Sequence, residues 1–121
     1  MPARDVLLVE DNEDARETLG MLLKLAGHRV RSEADGFAGL RAALESPPDI
    51  MLVDIGLPHM DGYEVARRVR SQLDGSRPYL VAITGYGAPE DRQRAIDAGF
   101  DAHVVKPVDF DRLSEVLRRS G

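Results

Sequence analysis

Apolar and polar residues alternate in blocks along this chain, and the period changes from one block to the next. Val6–Val9 is a short apolar run that stops at two acids, Glu10 and Asp11. The following stretch carries Leu19, Leu22, Leu23 and Ala26 at spacings of three and four, the pattern of a helix with one apolar face. Gly27 stands where a helix C-cap belongs. His28–Glu33 alternates around Val30 and reads as a strand with one wetter face. Asp35 predicts the cap of a second helix, with Phe37, Leu40 and Leu44 facing inward and Pro47-Pro48 as its stop. Ile50–Val53 is a continuous apolar run ended by Asp54. Pro58 and the turn pair Asp61-Gly62 mark residues 55–62 as a loop, after which helical spacing resumes over Tyr63–Val69. Tyr79–Ile83 is the fourth strand, ended by Thr84 and the flexible Gly85-Tyr86-Gly87. Pro89 opens a helix through Ala95 and Ile96 that Gly99 closes. Ala102–Val105 is the fifth strand, followed by Lys106-Pro107. Asp109 then caps a last helix with Phe110, Leu113, Val116 and Leu117 on one face.

Five strand–helix units in series predict an α/β fold, a parallel sheet covered by helices on both faces. The chain of 121 residues fits one domain, taken as 1–121, with room for a real core. A formal net charge of -5 argues against a general nucleic-acid surface, and no direct nucleic-acid binding is expected. With no cysteine there is neither a disulfide nor a thiolate site, and His28, His59 and His103 show no metal-ligand spacing. The start, MPARDVLLVE, lacks a signal-peptide core, and no run approaches the ~18 apolar residues of a membrane span. A cytoplasmic protein without membrane insertion is the expectation.

In such sheets the working residues stand in the loops at the carboxyl ends of the strands. Here those ends carry Glu10-Asp11, Asp54, Thr84 and Lys106. Three acids in one crevice repel each other unless something positive joins them. An all-oxygen donor set with few carboxylates favours a hard cation, Mg²⁺ over Ca²⁺. Carboxylate-held Mg²⁺ commonly serves phosphate chemistry, and a carboxylate can itself attack phosphorus to form an aspartyl phosphate. Lys106 offers a cation to a phosphoryl oxygen and Thr84 a hydroxyl donor, while Gly85 leaves space for the group.

Glu10-Asp11, Asp54, Pro58 with Asp61-Gly62, Thr84-Gly85 and Lys106-Pro107, in this order, resemble the signature of the receiver domains of two-component response regulators. The resemblance runs from Val6 to about Leu117. It implies the CheY-like, flavodoxin-like (βα)5 sandwich with strand order 2-1-3-4-5. It further implies Mg²⁺ held by Asp11, Asp54 and the backbone carbonyl of Gly56, with Glu10 acting through water. Asp54 would be the phosphoacceptor, fed by a histidine kinase or phosphotransfer domain. Thr84 and Lys106 would then pull on the phosphoryl oxygens and reshape the face of the fourth helix, fifth strand and fifth helix, which meets a downstream effector or output domain. The Lys106-Pro107 bond would be cis. Such a domain accepts phosphoryl without being an enzyme in the usual sense, losing the group slowly, and acts as a monomer or weak dimer. The stretch from Thr84 to Val108 is similar to receivers of hybrid histidine kinases, and the ending at Gly121 suits either a stand-alone regulator or a piece of a longer chain.

Three positions depart from the commonest family pattern. His103 replaces the usual aromatic switch residue and brings a group that titrates near neutral pH. Gly56 and Tyr86 should flank the path of attacking water, and Gly56 has no side chain to orient it. Singly, each residue has a plainer reading: a turn-forming Asp54, a solvated Lys106, a strand-end Thr84, acids opening a helix. Arg67, Arg68 and Arg70 read as a solvated helix face. A haloacid-dehalogenase-like phosphatase would need a second acid at Gly56. A flavin-binding fold would need a phosphate loop where Glu10-Asp11 stands. A phosphorylation-independent docking module would not need all the acceptor-site residues.

Overall fold

The computed structural model describes residues 3–73, 77–85 and 89–120. Five strands and five helices alternate in it: β1 Asp5–Val9, α1 Glu13–Leu25, β2 Arg29–Glu33, α2 Gly36–Glu45, β3 Ile50–Asp54, α3 Gly62–Gln72, β4 Tyr79–Thr84, α4 Pro89–Ala98, β5 Ala102–Val105 and α5 Phe110–Arg118. All strand pairs are parallel and the sheet order is β2-β1-β3-β4-β5. The central strands β1, β3 and β4 are almost wholly buried, as their unbroken apolar runs require of a sheet covered on both sides.

Side chains alternate between two cores. Leu7, Val9, Met51, Val53, Leu80 and Ala82 point towards α2, α3 and α4. Val6, Leu8, Ile50, Leu52, Val81 and Ile83 point towards α1 and α5, meeting Leu19, Leu23, Leu113, Val116 and Leu117. This two-sided packing brings the strand ends to a common rim, where loops rather than regular elements carry the polar side chains.

The caps predicted at Asp35 and Asp109 form, and Asn12 and Asp61 cap α1 and α3 in the same way, each accepting a backbone N–H of the helix that follows. Gly27 and Gly99 end α1 and α4 with φ of +97° and +107°, values an L side chain resists. The first helix is thus capped by Asn12, leaving the Asp11 carboxylate for other work.

Phe37 corrects the predicted inward set: it is 53% exposed. The helix α2 lies against the sheet through Gly36, Gly39, Leu40 and Ala43. A Cβ on Gly39 would stand 2.6 Å from Val9 Cγ2, so α2 sits too close to β1 for a large ring on that face. The Arg67–Arg70 face is corrected in part. Arg67 and Arg68 pair with Glu64 in solvent. Arg70 instead reaches across to the Gly99 and Pro78 carbonyls and to Asp101. The second strand starts at Arg29 rather than His28: the His28 N–H still donates to the Leu23 carbonyl of α1, and the pairing with β1 begins at Arg29. Among the described residues, no helix is long and apolar enough to cross a membrane.

Candidate functional site

The strand ends bring Glu10, Asp11, Asp54, Thr84 and Lys106 to one cleft, with Gly56 and Gly85 in its wall. Glu10 leaves β1 with its N–H still bound to the Glu33 carbonyl at 3.1 Å, which turns its side chain inward. Glu10 is only 2% exposed and Asp54 only 5%. One oxygen of Asp54 accepts from the Gly56 N–H at 3.0 Å, and the other from the Lys106 ammonium at 2.9 Å. The same ammonium lies 3.2 Å from Glu10 Oε1, while Glu10 Oε2 accepts from the Asn12 N–H at 3.2 Å. The Lys106 N–H donates to the Thr84 carbonyl at 2.7 Å, fixing β5's end to β4's, and the Lys106-Pro107 peptide is cis.

Glycine is required at one point of this corner. A Cβ on Gly62 would fall 2.6 Å from the Asp54 carbonyl oxygen and 2.8 Å from Ile55 Cα. The loop after Asp54 therefore folds back until α3 begins directly against the strand end, with the Gly62 N–H donating to the Ile55 carbonyl at 3.1 Å.

Two buried carboxylates share one ammonium, and their proton affinities separate. Burial, the hydrogen bond with Asp54 and the Asp54 charge raise Glu10 to about 7, against the pull of the Asn12 N–H and Lys106. Burial also penalises ionised Asp54. Hydrogen bonds from Glu10, Lys106 and the Gly56 N–H outweigh that penalty and hold Asp54 below the ordinary carboxylate value. Burial disfavours the Lys106 ammonium, but its bonds to Asp54 and Glu10 prevail and raise it. The two carboxylates thus move in opposite directions, Glu10 up and Asp54 down.

Carboxylate oxygens of Glu10, Asp11 and Asp54 lie within 4.8 Å of one another. One lysine does not neutralise three acids at that spacing, and the donors are all hard oxygens, so the residues fit a divalent hard cation. Glu10 is bound to Lys106 and the Asn12 N–H, and Asp54 to Lys106 and the Gly56 N–H, which leaves Asp11 the freest carboxylate of the three.

Thr84 is buried at the end of β4. Tyr86 and Gly87 lie outside the described residues. His103 is half-buried on β5 and lines a separate small cleft with Arg92, Ile96 and Phe100. Burial, helped by the charges of Arg92 and Arg112, lowers its pKa. Two cleft residues were not legible in the sequence. Tyr63, read there only as the start of a helical stretch, is buried in the cleft wall with the Arg94 guanidinium 4.2 Å over its ring centroid. That pair joins α3 to α4, so no local signal announces it.

The fold and this cleft define a receiver: the chain belongs to the response regulator receiver domain family, whose model matches residues 6–118. Among curated proteins it is 39% identical over 114 residues to the sensor histidine kinase AtsR of Burkholderia thailandensis. It covers 93% of this chain but 19% of that kinase, and the chain spans 13% and 51% of two further curated relatives. Among solved structures, chemotaxis protein CheY4 of Vibrio cholerae superposes with a TM-score of 0.92 at 28% identity, covering 99% of this chain and all of that one. The receiver domain of a Pseudomonas aeruginosa sensor histidine kinase gives 0.88 at 33% identity, over 98% of this chain and 97% of its own, and was solved with magnesium in its active-site cleft. The five-stranded order 2-1-3-4-5 and the receiver class are therefore as expected from the sequence.

Proposed function

We propose that Asp54 accepts a phosphoryl group from the phosphohistidine of a histidine kinase or phosphotransfer domain, making this chain a switch in a phosphorelay. The observation that carries the reading is the setting of Asp54: buried at the end of β3, with one oxygen on the Gly56 N–H and the other on the Lys106 ammonium. An Asp54 oxygen forms the new O–P bond as the P–N bond of the donor breaks, and the departing imidazole takes up a proton. Lys106, then released from a carboxylate whose own charge is lost on phosphorylation, turns its charge to the phosphoryl oxygens. Thr84, at the end of the neighbouring strand, would donate its hydroxyl there.

Asp11, Asp54 and the Gly56 carbonyl would hold Mg²⁺, with Glu10 acting through water. Bound there, it supplies positive charge to the phosphoryl oxygens. The wall on the Gly56 side is open, since a Cβ added there would meet only Asp54 Oδ1, at 3.7 Å. Water therefore reaches the acyl phosphate, and slow self-dephosphorylation rather than turnover of a substrate is the expected fate. The signal leaves through α4, β5 and α5, the elements tied to Thr84 and Lys106, towards an effector or output domain.

The test is intact mass after incubation with acetyl phosphate, with Mg²⁺, with EDTA in its place, and on Asp54→Asn. A single phosphoryl adduct that needs both Mg²⁺ and Asp54 supports the reading. A folded protein that takes neither phosphoryl nor the phosphoryl mimic beryllofluoride would refute it in favour of a docking module.

A further inference from the structure

We propose that Arg16 is a positioning residue for the acidic corner: it holds the backbone of Glu10 and Asp11 so that their carboxylates converge on a divalent cation. The proposal rests on the Mg²⁺ reading above and names a device that serves it. Arg16 stands one turn into α1 and sends its guanidinium back over the loop that joins β1 to the helix. Its Nη1 donates to the Glu10 carbonyl at 2.9 Å and lies 3.5 Å from the Asp11 carbonyl. Both carbonyls fall after the last ladder residue of β1, Val9, and before the first helical acceptor, Asn12, whose carbonyl takes the Arg16 N–H at 2.9 Å. They lie where neither the sheet nor the helix provides a donor, and the arginine provides one.

The two acids differ in what aims them. The Glu10 side chain is gripped by Lys106 and the Asn12 N–H. The Asp11 carboxylate is exposed, and among the described residues no hydrogen bond or ion pair holds it. Its direction is set by its backbone, and that backbone is what Arg16 clasps. Groups outside the ligand shell that orient the ligands commonly change metal affinity by about 10–100-fold when removed.

The sign of the effect separates this role from simple electrostatics. A guanidinium near a cation site repels the cation, so by Coulomb's law its removal strengthens Mg²⁺ binding. Loss of positioning weakens it. The experiment is isothermal titration of Mg²⁺ into the full chain and its Arg16→Ala and Arg16→Lys variants at fixed ionic strength. Urea unfolding in EDTA reports the stability of each apo protein separately. The expected result is about tenfold weaker Mg²⁺ binding by Arg16→Ala, at the low end of that range. Arg16→Lys should fall between, because an ammonium reaches one carbonyl but lacks the planar fork. Affinity unchanged or raised in Arg16→Ala overturns the proposal, even where stability has dropped. If Arg16→Ala does not fold, Arg16→Lys decides alone, and wild-type affinity or better overturns it. A wild-type chain that binds no Mg²⁺ removes the cation reading and this role together. Wild-type binding with an indifferent arginine removes only the role.

Discussion

The two ends of the sheet handle charge in opposite ways. At the end where the strands begin, acids are matched by arginines and backbone donors. Asp49 takes the Asp5 N–H at 2.9 Å and the Arg77 guanidinium at 2.8 Å, and Asp5 has Arg31 at 3.4 Å. Asp101 takes both Arg70 at 2.6 Å and the Leu80 N–H at 2.8 Å. At the end where the strands finish, carboxylate oxygens of Glu10, Asp11 and Asp54 lie within 4.8 Å of one another, and Lys106 pairs with Glu10 and Asp54. The first arrangement is complete and serves stability. The second is short of positive charge, the feature on which the proposed cation and phosphoryl sites rest.

The largest break in this comparison should come from the matched end. Asp101→Ala removes the acceptor shared by Arg70 and Leu80, leaving the buried Leu80 N–H without it and the partly buried guanidinium with carbonyl partners but no counter-charge. A loss of about 3 kcal/mol in urea unfolding is expected, the same with and without Mg²⁺. The unmatched end should respond the other way. Mg²⁺ at a hundred times its Kd should stabilise the wild type by about 2.7 kcal/mol, and Asp11→Asn should forfeit most of that gain.

Glu10 sharpens the contrast through pH. Its proton affinity is higher folded than unfolded, so its contribution is fully present below about 4.5 and is lost as pH rises through about 7. In EDTA, Glu10→Gln should therefore be more stable than wild type at pH 8, by roughly 1–2 kcal/mol, and show no such advantage at pH 4. His28, at the opposite end, carries the reverse sign. Burial first, then the positive charges of Arg4 and the N-terminus, lower its pKa. Its neutral form is the folded one, so stability holds above pH 6.5 and declines as pH falls below it. Replacing it by Gln should flatten that acid-side decline, by less than about 1 kcal/mol at pH 5.5. Smallest of all is Arg67→Ala on the exposed α3 face, expected within about 0.5 kcal/mol because the Glu64 pair is solvated and Arg68 shares it.

Much of the fold was legible because its signals are local. Apolar runs of strand length, helical spacing, side-chain caps and two helix-ending glycines act within a few residues of themselves. The order in which residues meet at the rim follows from alternating strands and helices, so Glu10, Asp11, Asp54, Thr84 and Lys106 could be placed together before any coordinates. Phe37 escaped this reading because its exposure depends on how closely Gly39 lets α2 approach Val9. Arg70 escaped it because its partners Pro78, Gly99 and Asp101 come from other elements.

What the sequence determined by itself is therefore the set of elements, their order and the chemical types at the strand ends. Each of these depends on backbone propensity and the burial of apolar surface along a short stretch. Only the tertiary structure decided which Asp54 oxygen meets Gly56 and which meets Lys106, that burial raises Glu10, that Arg94 lies over Tyr63, and that Arg16 clasps the Glu10 carbonyl. Those are distances between groups brought together from separate elements, and Coulomb and hydrogen-bond energies change over a few tenths of an ångström that no residue pattern encodes.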